Sequence, residues 1–329
     1  MENKIRWGIL GTGRIARAFA EGLKHTQNAE LIAIASRTLE SAQSFANEWQ
    51  IPHAFGSYED LAGSELLDAV YIGTPHTEHV KNAILCMENR KAVLCEKPLA
   101  VNAGQVGKMI QVAKKQDVLL MEGMWSRFPP LMYEVRRLIK ENEIGEIRTI
   151  HADFGFRPEH KDPNGRLFNP DLGGGSLLDV GIYPLSFSSM LNGKPKSFVT
   201  EWTQGATGVD EQASIILKYS NGSMALLHSS IQSDTNQEAF ISGTEGTIRI
   251  HRQCWRPQKI TICSRKESAN KLIERPFSGN GFNYEAEHFS QLLIDGKKES
   301  DIMSLKESLE IITLLDEIRE SWGFSYPFE

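Results

Sequence analysis

The sequence predicts an α/β protein of two domains, and three patterns carry that prediction. In the N-terminal third, short and continuously apolar runs alternate with segments whose apolar residues recur every three or four positions. A glycine-rich turn joins the first run to the first helical segment. In the remainder, strand-like runs follow one another with turn residues between them. We predict a doubly wound parallel sheet in residues 1–122 and an α/β domain with a large, mostly antiparallel open sheet in residues 123–329.

The strands and helices of the N-terminal domain follow from their periodicity. Apolar runs at positions 5–10, 31–35, 69–72, 92–95 and 118–121 predict five strands. Apolar residues at helical spacing within 15–23, 42–49, 80–87 and 106–113 predict the helices between them. Because the strands are apolar at every position, both faces of the sheet are expected to be buried by helices. Ligands of such sheets bind beyond the carboxyl ends of the strands.

The C-terminal domain has a different organisation. A helix is predicted at 131–140, and the strands are predicted at 148–156, 197–203, 212–219, 223–231, 239–242, 247–250 and 259–263. Asn221-Gly222 lies between two of these strands and is typical of a β-hairpin turn. Leu305, Leu309 and Ile312 indicate a closing amphipathic helix.

Composition and charge exclude several classes of protein. Of the 329 residues, 40% are hydrophobic and 24% are charged, which is typical of a globular chain long enough to bury a large core. A net charge of −6 disfavours nucleic acid as a partner, although a single phosphate-bearing ligand needs only local cations. No apolar run has the length of a membrane span, and no signal peptide is visible. We expect a cytoplasmic protein with no membrane partner.

Four cysteines are present, and their spacing indicates neither a metal site nor a disulfide framework. They are Cys86, Cys95, Cys254 and Cys263. We therefore expect reduced thiols, as in a cytoplasmic protein, and we predict no metal ion.

The turn after the first strand has the pattern G-x-G-x-x-A, which is typical of a dinucleotide-binding Rossmann domain. The first glycine permits the tight turn, the second lets a pyrophosphate approach the backbone, and Ala16 allows close packing of helix on strand. The N–H groups at the start of the helix supply an anion site. The cofactor-binding residues predicted here are Gly11, Thr12, Gly13, Arg14 and Ile15. The alternative is a glycine turn that only saves space.

The second strand is followed by Ser36, Arg37 and Thr38. An NAD enzyme usually places Asp or Glu here to bind the ribose 2′-hydroxyl, and this chain has no acid at that point. A cation between two hydroxyls suits a 2′-phosphate. We therefore predict that NADP(H) is preferred over NAD(H). The alternative is that Arg37 is solvated, or stacks on adenine without selecting a cofactor.

Polar residues also follow the third and fourth predicted strands, at the edge where a cofactor would lie. Those predicted to line the cofactor are Thr74, Pro75, His76, His79, Glu96 and Lys97. Lys97 could bind the reacting oxygen or accept its proton, although base catalysis near neutrality needs a lowered pKa. The alternatives are ordinary polar contacts for the histidines and an exposed loop position for the lysine.

The second domain contains a run, GGGSLLDVGIY, that ends at Tyr183. Asp179 and Tyr183 are four residues apart and share a face if the segment is helical. Tyr183 could exchange a proton with a substrate oxygen, and Asp179 could hold a hydroxyl or orient Lys97. The alternative is structural, because Ser176-x-x-Asp179 has the spacing of a capping box and Tyr183 could be simply buried.

Three segments together resemble one family. GTGRIA after the first strand, EKP after the fourth and GGGSLLDVGIY in the second domain are similar to the glucose–fructose oxidoreductase and inositol dehydrogenase family, often called Gfo/Idh/MocA. The likeness extends over essentially the whole chain. The segments MEGMWSRF and AVLCEKP, together with Tyr183, resemble the branch of dimeric dihydrodiol dehydrogenases and NADP-dependent D-xylose dehydrogenases. Many family members have histidine in place of Tyr183, so a mechanism based on histidine does not transfer.

The resemblance implies a function and a set of site residues. It implies that Lys97, Asp179 and Tyr183 meet as the catalytic group at the nicotinamide, and that the second sheet forms a homodimer interface. It also implies a substrate pocket lined by Trp125, Arg127, Phe154, Trp255 and Phe282. For the four aromatic residues the alternative is a place in the core.

We therefore predict an NADP(H)-dependent oxidoreductase that transfers a hydride between the nicotinamide and a secondary alcohol or carbonyl of a sugar, polyol or trans-dihydrodiol. Either Tyr183 or Lys97 moves the proton. The alternatives are a non-catalytic NADP-binding sensor and a reductase of another small molecule, for example at a ring double bond.

Overall fold

The computed structural model describes residues 4–265 and 269–329. The chain divides into two compact units, one formed by Met1–Phe128 with Ser278–Ile312 and the other by Pro129–Phe277 with Thr313–Glu329. A segment late in the sequence therefore belongs to the first unit. The domain boundary at residue 122 stays a prediction.

The first unit is an α/β layer structure built on a parallel sheet. Its strands are β1 (Ile5–Leu10), β2 (Ala29–Ala35), β3 (His53–Phe55), β4 (Ala69–Ile72), β5 (Ala92–Glu96) and β6 (Leu120–Gly123). Its helices are α1 (Arg14–Leu23), α2 (Leu39–Trp49), α3 (Tyr58–Gly63), α4 (His79–Glu88), α5 (Ala103–Gln116) and α8 (Phe282–Ile294). The strand order is β3-β2-β1-β4-β5-β6, and every pair is parallel. The doubly wound fold is confirmed.

The strand order places a change of direction between β1 and β4. Chain connections leave β1 toward one edge of the sheet through β2, and later return to the other side through β4. The helices on either side separate at such a point and leave a crevice beyond the carboxyl ends of the strands. The turn after β1 and the segment after β4 therefore border the same crevice.

The core of the first unit includes a helix that our prediction omits. Trp7 on β1 packs between Phe19 of α1 and Phe289 of α8, with ring centroids 5.4 and 5.1 Å away. The Trp7 indole N–H donates to the Ser290 hydroxyl over 3.0 Å. The strand β3 and the helix α3 are also absent from our prediction, because three and six residues are too few to show a hydrophobic periodicity.

The second unit is built on a sheet of eight strands. They are β7 (Ile147–Gly155), β8 (Ser197–Gln204), β9 (Asp210–Lys218), β10 (Met224–Ser230), β11 (Ala239–Gly243), β12 (Gly246–Ile250), β13 (Lys259–Ser264) and β14 (Lys271–Glu274). The order is β14-β13-β12-β11-β7-β10-β9-β8, and within the described strands of this sheet only the β7–β10 pair is parallel. The open, mostly antiparallel sheet is confirmed, and β14 is an addition to it.

The predicted hairpin turn is present between β9 and β10. The Tyr219 N–H donates to the Ser223 carbonyl over 3.0 Å, and Gly222 has φ +84°. Two helices of this unit are α6 (Pro130–Lys140) and α7 (Ile182–Asn192), and α9 (Leu305–Ser321) has residues in both units. No helix in the described part of the chain is long and apolar enough to cross a membrane.

Candidate active site

The glycine turn after β1 has the geometry that a dinucleotide requires. Gly11 has φ +100°, which side chains rarely adopt, and a Cβ there would lie 3.1 Å from the Gly73 carbonyl oxygen. A Cβ on Gly13 would meet no atom within 4 Å, so the space over the start of α1 is open. The first turn of α1 contains no acidic residue that would repel an anion. The turn therefore fits a pyrophosphate at the helix N-terminus.

The segment after β2 presents a cation beside the turn. Ser36 is buried and its N–H donates to the Phe55 carbonyl over 3.2 Å, while the Thr38 hydroxyl accepts the Ser41 N–H over 3.3 Å and caps α2. The Arg37 side chain is exposed between these two anchored residues. Its positive charge opposes the rise in the pKa of Tyr58 that burial causes. The two anchors fix the backbone that carries Arg37.

His79 connects the segments that follow β4 and β5. Its ring is fully buried, with Nε2 3.0 Å from the Thr74 carbonyl oxygen and Nδ1 2.9 Å from the Pro98 carbonyl oxygen. Burial lowers the pKa of His79, and the charge of Lys97 acts in the same direction. Because the ring has no exposed surface, the geometry favours an indirect role over the predicted contact with the cofactor. His79 holds the loop of Thr74 against the loop of Lys97.

His76 and Pro75 lie beside that connection. The His76 ring is half-buried, with its centroid 5.7 Å from the His79 ring, and Pro75 is exposed. Their predicted contact with a cofactor stays a prediction.

Lys97 follows β5 and is held by its neighbour. Its side chain is 9% exposed, the Lys97–Pro98 bond is cis, and the Lys97 N–H donates to Glu96 Oε2 over 3.2 Å. The Tyr71 hydroxyl donates to Glu96 Oε1. Burial, and then the charge of Glu96, raise the pKa of Tyr71, so this phenol keeps its proton. The Glu96 carboxylate therefore fixes the backbone from which the lysine extends.

A second buried acid lies near Glu96. Glu285 on α8 has no exposed surface, and neither of its carboxyl oxygens has a hydrogen-bond partner among the described residues. Burial and the nearby charge of Glu96 raise the pKa of Glu285 well above its ordinary value. Glu285 therefore holds a proton more readily than an exposed carboxyl group does.

Asp179 and Tyr183 lie on one continuous segment of the second unit. Asp179 belongs to a π-helical turn, Leu177–Gly181, and Tyr183 belongs to the first turn of α7. Asp179 is 7% exposed, and Tyr183 is partly buried. The capping-box alternative does not hold, because Ser176 makes no side-chain cap among the described residues and its hydroxyl donates to Asp210 Oδ2 over 2.7 Å. π-Helical turns of this kind are frequent at functional sites.

Asp210 anchors the start of that segment from β9. Its Oδ2 atom also accepts the Leu177 N–H over 2.6 Å. Burial raises the pKa of Asp210 to about 7, against the opposing effect of these hydrogen bonds. Asp210 therefore acts as a cap supplied by another element, which sequence spacing does not reveal.

Two of the predicted pocket aromatics pack beside Tyr183. The Phe154 and Trp255 rings are stacked with centroids 3.5 Å apart and planes 6° apart. The Phe154 centroid is 5.4 Å from that of Tyr183. This aromatic wall, formed by Phe154, Tyr183 and Trp255, therefore includes a residue of the same segment that bears the buried Asp179 carboxylate.

The remaining predicted pocket residues belong to the first unit, and one of them is structural. Trp125 and Phe282 are buried and stacked, with centroids 4.7 Å apart. Arg127 is 2% exposed, and its guanidinium Nη2 donates to Glu307 Oε1 over 2.8 Å while Nη1 lies 3.4 Å from the Ile302 carbonyl oxygen. Arg127 is therefore buried in an ion pair, which favours a structural role, and its contact with substrate stays a prediction.

Other titratable groups do not suggest a metal centre. Within residues 4–265 and 269–329, no group of three or more His, Cys, Asp or Glu side chains could hold a metal ion. The four cysteines are free thiols, and Cys86 and Cys95 are buried.

The fold and these sites define a class of protein, an NAD(P)-binding oxidoreductase with a doubly wound nucleotide domain. The family model described as an oxidoreductase family with an NAD-binding Rossmann fold matches residues 5–124, and the GFO/IDH/MocA C-terminal domain model matches residues 132–249. The chain belongs to the Gfo/Idh/MocA oxidoreductase family.

Curated relatives and a solved structure agree with that assignment. The trans-1,2-dihydrobenzene-1,2-diol dehydrogenase of Xenopus laevis is 41% identical over 330 residues, which cover 98% of this chain and 99% of the relative. The enzyme of that name from Homo sapiens is 34% identical over 331 residues, with 98% of each chain covered. KijD10, a 3-ketoreductase from Actinomadura kijaniata solved with NADP and TDP-benzene, is 26% identical with a TM-score of 0.86, covering 97% of this chain and 98% of that one. The predicted family and the predicted class of enzyme are confirmed.

Proposed function

We propose that this oxidoreductase oxidises a secondary alcohol of a trans-dihydrodiol or a sugar-like polyol, and that it reduces the corresponding carbonyl. The observation that carries this proposal is the aromatic wall of Phe154, Tyr183 and Trp255, because Tyr183 lies on the same segment as the buried Asp179 carboxylate. An apolar surface with a convergent acceptor suits a small ring that bears hydroxyl groups. Relatives named for a dihydrobenzene-diol support the same substrate class.

NADP(H) is the preferred cofactor in this proposal. Arg37 is exposed at the end of β2 between two residues whose backbone is anchored, and this segment contains no acid that would bind a ribose 2′-hydroxyl. A guanidinium binds a phosphate through two parallel, charge-assisted hydrogen bonds. The complex of KijD10 with NADP is consistent with this choice.

In the proposed reaction, Lys97, Asp179 and Tyr183 each have a separate role. When bound, the nicotinamide supplies the acceptor for the hydride that leaves the carbinol carbon as its C–H bond breaks. Tyr183 or Lys97 takes the hydroxyl proton, so that the O–H electrons form the carbonyl. Asp179 accepts a hydrogen bond from the substrate, and the cation of Lys97 favours ionised Tyr183 if the tyrosine is the base. That Lys97 meets Asp179 and Tyr183 is part of the proposal.

A homodimer is also proposed, formed through the second sheet. Val199, Ile216 and Leu226 lie opposite one another on β8, β9 and β10 and are 69%, 46% and 39% exposed. The row continues through His151 on β7 and Phe240 on β11, whose ring centroids are 6.3 Å apart. An exposed apolar surface of this extent is typical of an interaction site, and a second copy of the sheet matches it in shape and polarity. The free cysteines fit a cytoplasmic location for such a dimer.

The test of the proposed function is the reduction of NADP⁺, followed by absorbance, across a panel of trans-diols, polyols and aldoses, with NAD⁺ in parallel. Turnover that favours NADP⁺ with a trans-diol or polyol supports the proposal. Tight binding of NADPH without turnover of any panel member, or of the corresponding carbonyls, would instead favour the non-catalytic sensor.

A further inference from the structure

The loop between β7 and the π-helical turn contains Arg166, whose guanidinium forms an ion pair with Asp179. Arg166 Nη1 donates to Asp179 Oδ1 over 2.6 Å, and Nη2 lies 3.4 Å from Oδ2. Each carboxylate oxygen therefore faces one guanidinium nitrogen. A guanidinium is planar and its donors have a fixed spacing, so this arrangement sets the plane of the carboxylate.

The pair is not an ordinary surface ion pair. The Asp179 side chain is 9% exposed and that of Arg166 is 48% exposed, so the acid is buried while part of the guanidinium faces solvent. Surface ion pairs contribute little because both partners are hydrated and mobile. Here the carboxylate has lost most of its water, and the charge of Arg166 replaces that hydration.

The loop that carries Arg166 is anchored on both sides. Phe168 is buried in a cluster with Val180 and Ile231, and Val180 is the residue that follows Asp179 in the chain. The Gly175 N–H donates to the Leu167 carbonyl over 2.9 Å. Lys161, nearer the start of the loop, places Nζ 2.6 Å from Glu211 Oε2. The backbone of residue 166 is therefore fixed relative to the segment that bears Asp179 and Tyr183.

We propose that Arg166 is a substrate-positioning residue that makes the enzyme selective for vicinal diols and α-hydroxy carbonyls, an inference that rests on the proposed function. A carboxylate has more acceptor positions than Arg166 uses, so Asp179 can accept a bond from one substrate hydroxyl. The exposed edge of the guanidinium lies next to that carboxylate and can donate to an oxygen on the adjacent carbon. An acceptor and a donor side by side match two neighbouring oxygens and do not match an isolated alcohol.

The test compares two alcohols in wild-type protein and in variants at position 166. The probes are trans-1,2-cyclohexanediol, which has adjacent hydroxyls, and cyclohexanol, which has one. With Arg166→Met we expect kcat/KM for the diol to fall about 10- to 100-fold, mostly through KM, because a charge-assisted hydrogen bond is lost. We expect kcat/KM for cyclohexanol to change less than about threefold by the same reasoning. Arg166→Lys should recover part of the loss, since it keeps the charge without the fork.

The control separates positioning from loop anchoring. Lys161→Met removes the ion pair with Glu211 and leaves Asp179 untouched, so both probes should respond equally and weakly. Circular dichroism and NADPH binding, followed by nicotinamide fluorescence, verify that each variant folds.

The outcomes distinguish this inference from the proposed function. An active wild-type enzyme whose diol-to-alcohol ratio is the same in Arg166→Met, or whose ratio changes as much in Lys161→Met, overturns the role of Arg166 and leaves the function standing. A wild-type protein that turns over neither these probes nor the wider panel overturns both.

Discussion

Lys97 is the residue whose predicted role is tested most directly by its own removal. Its backbone is fixed by Glu96 and by the His79 connection through Pro98, so a neutral side chain of similar length leaves these contacts in place. For Lys97→Met we expect kcat to fall about 10²- to 10⁴-fold, the usual effect of removing a proton-transfer group. NADPH binding, measured by fluorescence titration, should stay within about threefold. The pyrophosphate and 2′-phosphate positions follow β1 and β2, which lie two and three strands away from β5 and Lys97 in the sheet.

The exposed Lys81 on α4 provides a matched control, since Lys81→Met removes an equal charge from the same unit. Full turnover in Lys97→Met would refute the role of the lysine. Comparison with Tyr183→Phe then identifies the base, because a base must be deprotonated for alcohol oxidation, and the variant whose kcat/KM no longer falls at low pH has lost that group.

Arg37 decides the choice of cofactor in our proposal. In Arg37→Met we expect kcat/KM for NADP⁺ to fall about 10- to 100-fold and that for NAD⁺ to change little, because only the 2′-phosphate contact is lost. Arg17→Met is the control, since Arg17 is an exposed arginine on α1 that pairs with Glu48. Equal losses with both cofactors would mean that Arg37 contacts a part that NAD⁺ and NADP⁺ share.

At the residue scale the sequence identifies side chains that lie in motifs and misses those that act across the fold. Gly11 and Gly13 can be identified as cofactor-binding residues from the sequence, because the turn requires glycine at a fixed spacing. Arg166 lies in a loop without periodic pattern, and it meets Asp179 only after the chain reverses. Arg127 is predicted from its motif to contact substrate, whereas its burial beside Glu307 favours a structural role that the motif does not reveal.

At the scale of the element, the start of the Leu177–Gly181 turn that leads into α7 is held by Asp210, whose pKa is raised by burial. Asp210 accepts the Ser176 hydroxyl and the Leu177 N–H, and burial raises the pKa of Asp210 from 3.8 to about 7. The folded state therefore holds a proton that the unfolded state releases above about pH 4. The stability contributed by this group is fully present below that pH and is lost as the pH rises toward 7.

Asp210→Asn removes this dependence while keeping an oxygen acceptor for the same two donors. The free energy of unfolding of the variant, measured in urea between pH 4 and 8, should rise relative to wild type by a few kcal/mol over that range, on the order expected for a shift of this size. The test is the sign of the change with pH in the difference between the two free energies of unfolding. A difference between the two proteins that does not change with pH, or that moves the other way, would show that Asp210 is ionised in the folded state.

At the scale of the elements, a helix can be predicted from the sequence when its apolar residues repeat over a complete helical period. The helices α1, α2, α4 and α5 each show one, and the five predicted parallel strands show continuous apolar runs instead. The structure alters the ends of these elements by one or a few residues. The strand β3 has three residues and cannot show a period. Helix α8 does carry buried residues at helical spacing, Ala286, Phe289 and Leu292. Its place in the first unit depends on contacts across most of the chain, and such contacts leave no local pattern.

At the scale of the whole molecule, the exposed face of the second sheet leads to the last prediction. Ile216 lies in the middle of the row formed by Val199 and Leu226, where a partner sheet would bury it. A lysine there places an unpaired charge in an apolar interface, so Ile216→Lys should convert a dimer to a monomer. Sedimentation velocity measures the change directly, and circular dichroism should be unaltered because the residue is 46% exposed within the chain.

Leu39→Lys is the control for added charge, since Leu39 is an exposed leucine at the start of α2 in the other unit, 57% exposed. It should leave the dimer intact. If wild-type protein sediments as a monomer, the exposed row has no partner copy and the homodimer is excluded. If Ile216→Lys remains a dimer, the interface lies elsewhere. Because Asp179 and Tyr183 lie on the unit that contains this sheet, a monomeric variant with full turnover would also show that the site needs no partner.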